Sequence, residues 1–305
     1  MEKNCLADLF DVEDQKILES KPKNTVLIFD AHNLAYRTLF SAIFSNPEDN
    51  EKFLFWKHLF MNSLFNSIAQ FKATKVILAY DTKPSWRYTV YKDYKANRKE
   101  AREKAVVDFD KFFPIFNDFQ IQIEDVFSKI YSLSVDNCEA DDIIASLCKD
   151  TFKNDDVVII SSDGDMNQLL TKNIRQYDPI RKKFVECINP QKELSVKLLT
   201  GDKGDNIPPV KKHVGAVTAE KILSNGLDTF LNENEEIRQN YIRNKQLIDF
   251  NFIPEEIRKN IINKYNQYKL VDMESKKILN FFVSNRLTKL MQSWEAFSDN
   301  IKSLE

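Results

Sequence analysis

Three short apolar runs, each closed by an aspartate, constrain the fold of this chain more than any other feature. They are TVLIFD at 25–30, TKVILAYD at 74–81 and DDVVIISSD at 155–163. Short runs rich in β-branched residues predict buried strands, and segments with helical spacing separate them. Strands that alternate with helices predict an α/β fold in which helices flank a central, mostly parallel (mixed) sheet.

The acids that close these runs are Asp30, Asp81 and Asp163. In an open parallel sheet, ligands bind beyond the carboxyl ends of the strands, so residues at those ends meet at one edge. A carboxylate at the end of an apolar strand contributes nothing to packing. We therefore expect these three carboxylates to share one functional crevice.

Patterns between and beyond these runs complete the predicted organisation. They predict helices over 53–71, 108–120, 139–150 and 191–200, a strand over 129–135 and an edge hairpin over 174–187. Helices with short polar connections dominate after residue 200, and the polar segment 232–245 is predicted to be a mobile connector. The resulting division is an acidic N-terminal extension at 1–23, an α/β core at 24–190 and a helical C-terminal domain at 191–305.

Composition narrows the class of protein. Hydrophobic residues make up 43% of the 305 residues and charged residues 30%, which excludes wholesale disorder. The net charge of −2, from 44 basic and 46 acidic residues, argues against a simple basic coat for nucleic acid, but a carboxylate cluster can cancel a basic patch elsewhere. Four cysteines without a CxxC pair, no long apolar stretch and no signal-peptide pattern predict a cytoplasmic protein with no membrane span.

Further acids accompany the three at the strand ends: Glu139, Asp141 and Asp142 in EADD, Asp165 in SSDGD, and Asp202 with Asp205 in GDKGD. Two unit charges 4 Å apart repel by about 4 kcal/mol at an effective dielectric of 20, so gathering these acids requires cations. Oxygen-only ligands favour Mg²⁺ or Mn²⁺, and two such ions can hydrolyse a phosphodiester. Taken singly, the acids of EADD also suit a helix N-terminus, and those of the glycine-containing strings also suit turns.

A basic arch segment at about 83–104 directly follows Asp81. It holds eight Lys or Arg residues against three acids and is interleaved with Trp86 and three tyrosines. Cations bind phosphates and aromatic faces stack on exposed bases, whereas a solvated amphipathic helix is the usual structural explanation of a charge run. Its position beside the predicted metal ligands favours contact with nucleic acid.

The motifs FDAHN, YDTKPSWR with YKANR, EADDIIA, SSDGDMNQL and GDKGDNIP occur in this order over about residues 25–225. Together they resemble the 5′-nuclease (flap endonuclease) family. The resemblance implies Mg²⁺-dependent 5′→3′ exonuclease action on RNA–DNA and DNA–DNA duplexes, and cleavage at 5′ flaps and forks. It also implies a role in removing RNA primers from lagging-strand fragments, a monomeric state, and the phage single-stranded DNA-binding protein as a partner of the C-terminal helices.

The resemblance also assigns roles to residues. Its carboxylate positions, expected to bind two Mg²⁺ ions, match Asp30, Asp81, Glu139, Asp141, Asp142, Asp163, Asp165, Asp202 and Asp205. Lys95 and Arg98 match the contacts to the scissile phosphate and, with Asp30 and Asp81, are the expected catalytic residues. Tyr94 is expected to stack on a base, and Arg87 to bind nucleic acid.

One string departs from the family pattern. Where the family has a duplex-binding hairpin of pattern GIGxKTA, this chain has HVGAVTA, so that His213 replaces the first glycine and Val217 the lysine. Histidine at positive φ is strained and valine cannot neutralise a phosphate, which predicts a modified helix-hairpin-helix-like contact without a monovalent ion. The residues expected to bind the duplex here are Lys211, Lys212, Gly215 and Thr218. His32, elsewhere, is expected to be structural.

Two other functions compete with a nuclease. A haloacid-dehalogenase-like phosphatase also ends its first strand in Asp, but it needs a second Asp two residues later, and His32 stands there. A catalytically silent, structure-specific DNA-binding protein is the third possibility, and the full set of carboxylates argues against it.

Overall fold

The computed structural model describes residues 24–45 and 51–305, so the predicted acidic extension at 1–23 lies outside the described residues. Its strands are β1 (Thr25–Asp30), β2 (Lys75–Tyr80), β3 (Tyr131–Ser134), β4 (Asp156–Ile160), β5 (Ile174–Asp178) and β6 (Lys183–Phe184). They form one sheet in the order β3-β2-β1-β4-β5-β6. Strands β1 to β5 are parallel and β6 joins the edge antiparallel to β5. The predicted fold class, including the edge hairpin, is confirmed.

Helices flank the sheet and fill the C-terminal part. They are α1 (Ala31–Ser45), α2 (Lys52–Phe71), α3 (Arg87–Val90), α4 (Asn97–Glu103), α5 (Phe109–Val126), α6 (Ala140–Ser146), α7 (Pro190–Thr200), α8 (Ala216–Asn225), α9 (Leu227–Leu231), α10 (Glu235–Ile248), α11 (Glu255–Gln267), α12 (Ser275–Ser284), α13 (Thr288–Gln292) and α14 (Trp294–Lys302). Helix α6 continues as a π-helical turn, Leu147–Thr151. None of the helices in the described ranges is long and apolar enough to cross a membrane.

The central strand β1 buries side chains on both faces of the sheet. Leu27 and Phe29 belong to a core cluster with helices α1, α2 and α5, whereas Val26 and Ile28 belong to a second cluster with α6 and α11. Side chains alternate between the faces of a strand, and a parallel sheet covered on both faces needs apolar residues at every position. This explains why the strand runs are continuous rather than alternating.

Aromatic side chains hold α1, α2 and α5 together. Trp56 is fully buried, lies 4.9 Å from Phe112 in a T-shaped arrangement and contacts Phe116 and Phe119 in the same way. Its indole N–H donates to the carbonyl oxygen of Ala35 at 3.1 Å, so the one polar atom of the ring is satisfied. This cluster fixes α1, and with it the carboxyl end of β1 from which α1 starts.

The C-terminal helices divide between cores. Ile278, Phe281 and Ile301 of α12 and α14 join the cluster around Trp56, and the backbone N–H of Glu305 donates to the carbonyl oxygen of Thr74 at 2.8 Å. Helices α7, α8 and α10 build two smaller clusters of their own. The division of the chain at residues 190 and 191 stays a prediction.

The predicted mobile connector at 232–245 is wrong, because most of it forms α10. The side chain of Asn234 caps the helix by accepting from the N–H of Glu236 at 2.7 Å, and Ile237 and Leu247 are buried. Most exposed residues of α10 are polar, and they dominated the local composition. A few apolar residues at helical spacing were enough to order the segment once neighbouring helices covered them.

Replacing Trp56 by alanine tests the role of the aromatic cluster. We expect Trp56→Ala to lower the free energy of unfolding by about 3–5 kcal/mol, because it leaves a large cavity in a packed core. Ile121→Ala on α5 is the control, since Ile121 is 66% exposed and its loss should change stability by about 0.5 kcal/mol or less. Urea denaturation measures the free energy of unfolding of both variants. Equal denaturation midpoints for the two variants would contradict the stabilising role assigned to Trp56.

Candidate active site

Four carboxylates meet at the carboxyl edge of the sheet. Asp30 is the last residue of β1, Asp81 follows β2, Asp163 follows β4 and Asp141 lies in the first turn of α6. Burial, and then the charges of Asp81 and Asp163, raise the pKa of Asp30 to about 7. Burial followed by the charges of Asp163 and Asp30 also raises the pKa of Asp141 well above its ordinary value. The predicted crevice is present, and it carries more negative charge than its surroundings neutralise.

Backbone N–H groups at the starts of helical segments orient three of these side chains. Asn33, in the first turn of α1, donates to Asp30 Oδ1 at 2.9 Å, and Ala140 of α6 donates to Asp81 Oδ1 at 2.8 Å. The N–H of Asp165 donates to Asp163 Oδ1 at 2.9 Å. Free N–H groups and the positive end of the helix dipole favour a carboxylate at such positions. The strand-to-helix transitions therefore supply the carboxylates and also fix the orientation of their side chains.

His32 supports this arrangement as a neutral ring. The backbone N–H of Asp81 donates to His32 Nδ1 at 3.2 Å, so Nδ1 is the acceptor and the ring proton is assigned to Nε2. Burial lowers the pKa of His32, which agrees with a neutral imidazole, and the ring edge packs at 5.0 Å on Phe116. These contacts are structural, as expected for this residue.

A lysine that the sequence analysis did not single out bridges two of the predicted ligands. Lys197 Nζ, in the last turn of α7, contacts Asp165 Oδ1 and lies 2.6 Å from Asp202 Oδ2. Burial raises the pKa of Asp165 to about 6 although Lys197 opposes the shift. Burial would also raise the pKa of Asp202, but the hydrogen bond and charge of Lys197 hold it below its ordinary value. The only sequence signal for Lys197 was its position one helical turn before GDKGD.

Lys95 and Arg98 bridge a second pair of predicted ligands. Lys95 Nζ lies 2.6 Å from Glu139 Oε1 and 3.8 Å from Asp205 Oδ2, and Arg98 Nη2 lies 2.7 Å from Asp205 Oδ1. Burial alone would lower the pKa of Lys95, but Glu139 and Asp205 raise it. Both cations stay charged and stand among the carboxylates, and their contact with a scissile phosphate stays a prediction.

The GDKGD loop fastens the basic segment to the site. The N–H of Lys95 donates to the carbonyl oxygen of Asp205 at 2.8 Å, which holds Lys95 in the left-handed conformation (φ 55°). Asn206 Nδ2 donates to the carbonyl oxygen of Asp93, and Asn97 Nδ2 to that of Lys203, both at 2.7 Å. A non-glycine residue at positive φ persists only where its surroundings enforce it. The loop thus positions the cations as well as two carboxylates.

A glycine and an asparagine hold this loop in shape. Gly201 has φ 69°, and a Cβ there would lie 2.2 Å from the carbonyl oxygen of Ile207, so no other residue fits. Asn244 of α10 is fully buried, and its Nδ2 donates to the carbonyl oxygens of Leu198 at 2.9 Å and Pro208 at 3.1 Å, on either side of the loop. Sequence reasoning missed Asn244, because the residue is distant in sequence and carries no motif.

Two predicted roles are corrected by burial. Asp142 has no exposed surface, and its carboxylate accepts from Arg87 at 2.8 and 2.9 Å, from Trp86 Nε1 at 3.1 Å and from the N–H of Glu139 at 2.9 Å. These bonds occupy its oxygens, so it positions Glu139 and is not placed to bind a metal. Arg87 is 3% exposed and also donates to the carbonyl oxygen of Leu247 at 2.9 Å, so it is not available to nucleic acid.

The predicted stacking role of Tyr94 is also corrected. Tyr94 is 2% exposed, and its hydroxyl lies 2.9 Å from Glu139 Oε2 and 3.0 Å from Asp205 Oδ2. Lys95 Nζ lies 4.9 Å from the ring centroid and Tyr88 packs edge-on against the ring. No face of the ring is open to a base. The residue links two carboxylates instead, and the exposed aromatic ring beside it is Tyr88.

The predicted duplex-binding residues lie outside the carboxylate crevice. Lys211, Lys212, Gly215 and Thr218 are exposed around the start of α8, and Gly215 lines a cavity of about 640 Å³ with Tyr91. His213 has φ 67°, the positive value expected from the altered hairpin string. Their contact with a duplex stays a prediction.

The basic segment covers a larger cavity, which we call the arch cavity. It measures about 1140 Å³ and reaches down to Asp81 and Glu139. Cationic residues of the segment line its wall, among them Lys83, Lys95, Arg98 and Arg102. A positively charged wall therefore faces the carboxylates across one space, an arrangement suited to a phosphate held between cations and metal-binding acids.

The donor chemistry of the crevice fits hard divalent cations. Within residues 24–45 and 51–305, no three His, Cys, Asp or Glu side chains converge closely enough to hold a metal ion as they stand. Lys95 and Lys197 instead place ammonium groups between carboxylates of this crevice. An ammonium group in such a place supplies the positive charge that a metal ion supplies, and the donors are all oxygens, as Mg²⁺ prefers.

Comparison with known families decides the class of protein. The N-terminal resolvase-like domain of 5′-3′ exonucleases matches residues 25–198. The chain belongs to the 5′-3′ exonuclease family. The C-terminal domain of T4 RNase H matches residues 181–297. As a member of this family the chain is a nuclease of the phage type that hydrolyses phosphodiester bonds, which excludes the phosphatase and the silent DNA-binding protein.

Individual relatives agree with this membership. The ribonuclease H of Enterobacteria phage T4 is 31% identical, over 93% of this chain and 99% of the relative. A 5′-3′ exonuclease of Buchnera aphidicola is 30% identical over 73% of this chain and 78% of its own length. Among solved structures, the bacteriophage T5 5′-exonuclease with bound zinc superposes with a TM-score of 0.62 at 20% identity, over 80% of this chain and all of that one. A complex of the T5 flap endonuclease with DNA and metal ions gives 0.60 at 21% identity.

The raised pKa of Asp30 predicts a pH-dependent stability difference. The ordinary pKa of the group is 3.8 and the folded value is about 7, so folding is penalised above pH 7 and the penalty falls as the carboxyl group takes up a proton. In EDTA, Asp30→Asn should be more stable than the wild type at pH 8. Its advantage should shrink by about 1 kcal/mol between pH 8 and pH 6.

Urea denaturation of both proteins at pH 6, 7 and 8 measures this difference. Subtracting the two curves removes the contribution of groups that titrate equally in both, including His32. If the free energy of unfolding of Asp30→Asn exceeds that of the wild type by the same amount at every pH, the carboxyl group of Asp30 is already ionised without cost in the folded protein.

Proposed function

We propose that this nuclease removes 5′ ends from RNA–DNA and DNA–DNA duplexes and also cleaves 5′ flaps and forks. Its cellular role would be removal of RNA primers and adjacent DNA from lagging-strand fragments, in the cytoplasm of the host cell. One observation carries the proposal: Asp81 lines the arch cavity together with Lys95 and Arg98, the buried Asp30 lies within the influence of Asp81 and Asp163, and Asp205 of the GDKGD loop pairs with Arg98. The names of the relatives support it, since they include a ribonuclease H, a 5′-3′ exonuclease and a flap endonuclease bound to DNA.

Two Mg²⁺ ions, or Mn²⁺, are the proposed cofactors. The first group of ligands is Asp30, Asp81, Asp141 and Asp163, with Glu139 at its border, and the second is Asp165, Asp202 and Asp205. When bound, such ions activate a water molecule and stabilise the leaving oxygen of a phosphodiester. The raised pKa values of Asp30 and Asp141 support a site built for cations, because burial and then mutual repulsion raise them and a bound cation relieves that repulsion.

The contribution of the chain itself is orientation and charge. Lys95 and Arg98 sit 2.6 and 2.7 Å from carboxylate oxygens at the floor of the arch cavity, where a scissile phosphate would lie between acids and cations. Their fixed positions neutralise the negative charge that develops on that phosphate. Three further residues act indirectly, by holding Glu139 and Asp205 in place: Tyr94, Asp142 and Arg87.

The duplex and partner assignments complete the proposal. We assign duplex binding to Lys211, Lys212, Gly215 and Thr218, which are exposed and adjacent in sequence. The protein would act as a monomer and meet a single-stranded DNA-binding protein through its C-terminal helices. These helices carry exposed apolar side chains, Leu279 and Val283, one turn apart on α12.

Asp163→Asn tests the proposed metal ligands. We expect it to remove Mg²⁺-dependent cleavage of a labelled RNA–DNA duplex, because a neutral amide binds a hard cation weakly, while duplex binding changes little. Asp156→Asn is the matched control, since Asp156 begins the same strand β4 at the opposite edge of the sheet and pairs with Arg175. Gel assays of cleavage and of binding measure both effects, and normal turnover by Asp163→Asn would remove it from the site.

Lys95→Ala tests the cationic wall. Removing one fixed donor to a developing charge costs on the order of 10²–10³ in turnover, so single-turnover cleavage should slow by that factor while affinity changes modestly. Lys104→Ala is the control, since Lys104 is 73% exposed and pairs with Glu100 on the outer surface. Single-turnover rates at saturating enzyme give the effect on cleavage, and binding measured in Ca²⁺ gives the effect on affinity. A wild-type rate for Lys95→Ala would contradict the proposed contact.

A further inference from the structure

The end of helix α10 connects three segments that carry proposed metal ligands. Arg87 Nε donates to the carbonyl oxygen of Leu247 at 2.9 Å. Gln168 Nε2 donates to the carbonyl oxygen of Ile248 at 3.0 Å. Asn244, one turn earlier on the same helix, donates to backbone carbonyl oxygens on both sides of the GDKGD loop. We call the α10 residues Asn244, Leu247 and Ile248 the α10 brace.

The carbonyl groups at this helix end depend on donors from outside the helix. The last carbonyl groups of a helix have no donor within it, and Leu247 and Ile248 are buried away from water. Leaving a buried carbonyl group without a donor costs about 1–3 kcal/mol. The negative end of the helix dipole also favours the guanidinium group of Arg87 at this place. The end of α10 is therefore fixed to the α/β core by bonds whose loss would destabilise the protein.

Asn244 is the member of the brace that holds the GDKGD loop. Its side chain is fully buried, and Arg243 Nη2 donates to its Oδ1 at 2.9 Å, which directs its Nδ2 toward the loop. Nδ2 donates to the carbonyl oxygen of Leu198, before the loop, at 2.9 Å and to that of Pro208, after the loop, at 3.1 Å. One amide group thus ties together the two ends of a loop that carries two proposed ligands.

Gln168 connects the brace to the remaining ligand of the second group, Asp165. Gln168 lies three residues after Asp165 in a short 3₁₀ helix, and its Oε1 accepts from the N–H of Phe250 at 3.2 Å. Its amide therefore bonds to the backbone on both sides of the end of α10. All three proposed ligands of the second group lie on segments that this one helix end holds.

The first group of proposed ligands is oriented by other elements. The N–H groups that donate to Asp30, Asp81 and Asp163 belong to residues 33, 140 and 165, at the starts of helical segments. None of these three donors lies on α10. A disturbance of the brace should therefore alter the second group more than the first.

We propose that the α10 brace sets the affinity of the second group for its Mg²⁺ ion, with Asn244 and Gln168 as positioning residues. Neither residue supplies a ligand. Each holds the backbone of a segment that carries one, which keeps carboxylates of separate segments within reach of one ion. Mg²⁺ demands near-ideal octahedral geometry, so its affinity is sensitive to such positioning. This inference rests on the proposed nuclease function and its two ions, and it deepens that function.

Calorimetric titration of Mg²⁺ into the metal-free protein tests the brace without any cleavage. Asp202→Asn identifies the binding event of the second group, because it removes a ligand of that group. Loss of a residue that orients a metal ligand typically lowers metal affinity 10–100-fold, so we expect Asn244→Leu to weaken the same event about tenfold. The other binding event should keep the wild-type affinity.

Asn285→Leu is the matched control. Asn285 is 2% exposed and donates to Gln122 Oε1 at 2.7 Å and to the carbonyl oxygen of Phe281 at 3.0 Å, so the change removes bonds of the same kind from the contact between α5 and α12. None of these residues is near a proposed ligand in the sequence. We expect both asparagine variants to lose stability, but only Asn244→Leu to lose Mg²⁺ affinity. Equal Mg²⁺ affinities in the two variants would overturn the brace.

Gln168→Met keeps the test decisive if Asn244→Leu does not fold. Gln168 is only partly buried, and methionine preserves its length while removing the bonds to Ile248 and Phe250. The event that Asp202→Asn removes should weaken in this variant too. An unchanged event, or equal weakening of both events, would show that the helix end does not act on the second group and would overturn the brace.

Single-turnover cleavage of an RNA–DNA duplex at increasing Mg²⁺ separates the brace from the proposed function. Asn244→Leu should cleave slowly at low Mg²⁺ and regain the wild-type rate at saturating Mg²⁺, because a weakened site fills at a higher concentration. A rate that stays low at saturating Mg²⁺ contradicts a role in affinity. If the wild type cleaves no duplex, the proposed function fails, and the calorimetric difference between Asn244→Leu and Asn285→Leu still decides the brace. If the wild type shows no binding event that Asp202→Asn removes, the brace is overturned even if cleavage occurs.

Discussion

Electrostatic repulsion among carboxylates is the constraint on which the rest of this structure depends. A parallel sheet brings the ends of its strands together, and here those ends carry Asp30, Asp81 and Asp163. Burial and mutual repulsion raise the pKa of Asp30 to about 7. The fold tolerates this because helix starts supply N–H donors and because an aromatic core around Trp56 holds the helices rigidly behind the sheet. Stability elsewhere in the molecule offsets a charged edge that is unfavourable by itself.

Cationic side chains partly balance this charge and connect separate parts of the chain. Lys197 joins Asp165 to Asp202, and Lys95 joins Glu139 to Asp205. Both lysines belong to segments tied to the GDKGD loop, one through α7 and the other through backbone hydrogen bonds. A change in the charge of the site therefore alters the interactions of the loop and of the arch segment together. This coupling gives a physical route by which bound metal and bound phosphate would favour one another: a metal ion on the carboxylates releases the ammonium groups for a phosphate, and a phosphate on the ammonium groups releases the carboxylates for a metal ion.

Cations of the arch cavity fall into two kinds with different consequences. Lys95 and Arg98 are paired with carboxylates at the floor of the arch cavity, whereas Lys83 and Arg102 lie against the ring of Phe113 and, among the residues that the structure describes, form no ion pair with a carboxylate. A cation already paired with an acid contributes to orientation and to the charge balance of the site. An unpaired cation on a low-dielectric wall contributes attraction for an incoming anion.

The sequence by itself determined the fold class and the shared edge at which the strand-end carboxylates lie, and tertiary structure decided which side chains of that region are exposed and which are buried. The apolar runs ending in Asp predicted the parallel sheet and the shared edge, because strand ends carry that information locally. The sequence did not distinguish Asp142 and Arg87 from their neighbours, since both carry charge in a motif and only packing buries them against each other. Tyr94 looked like a stacking residue until its burial against Glu139 and Asp205 was seen. Asn244 had no signal in sequence and Lys197 had only its position one helical turn before GDKGD, because their roles depend on contacts with residues 5–46 positions away along the chain. Charge and hydrophobicity are local properties of a sequence, whereas burial and hydrogen-bond saturation exist only once distant segments meet.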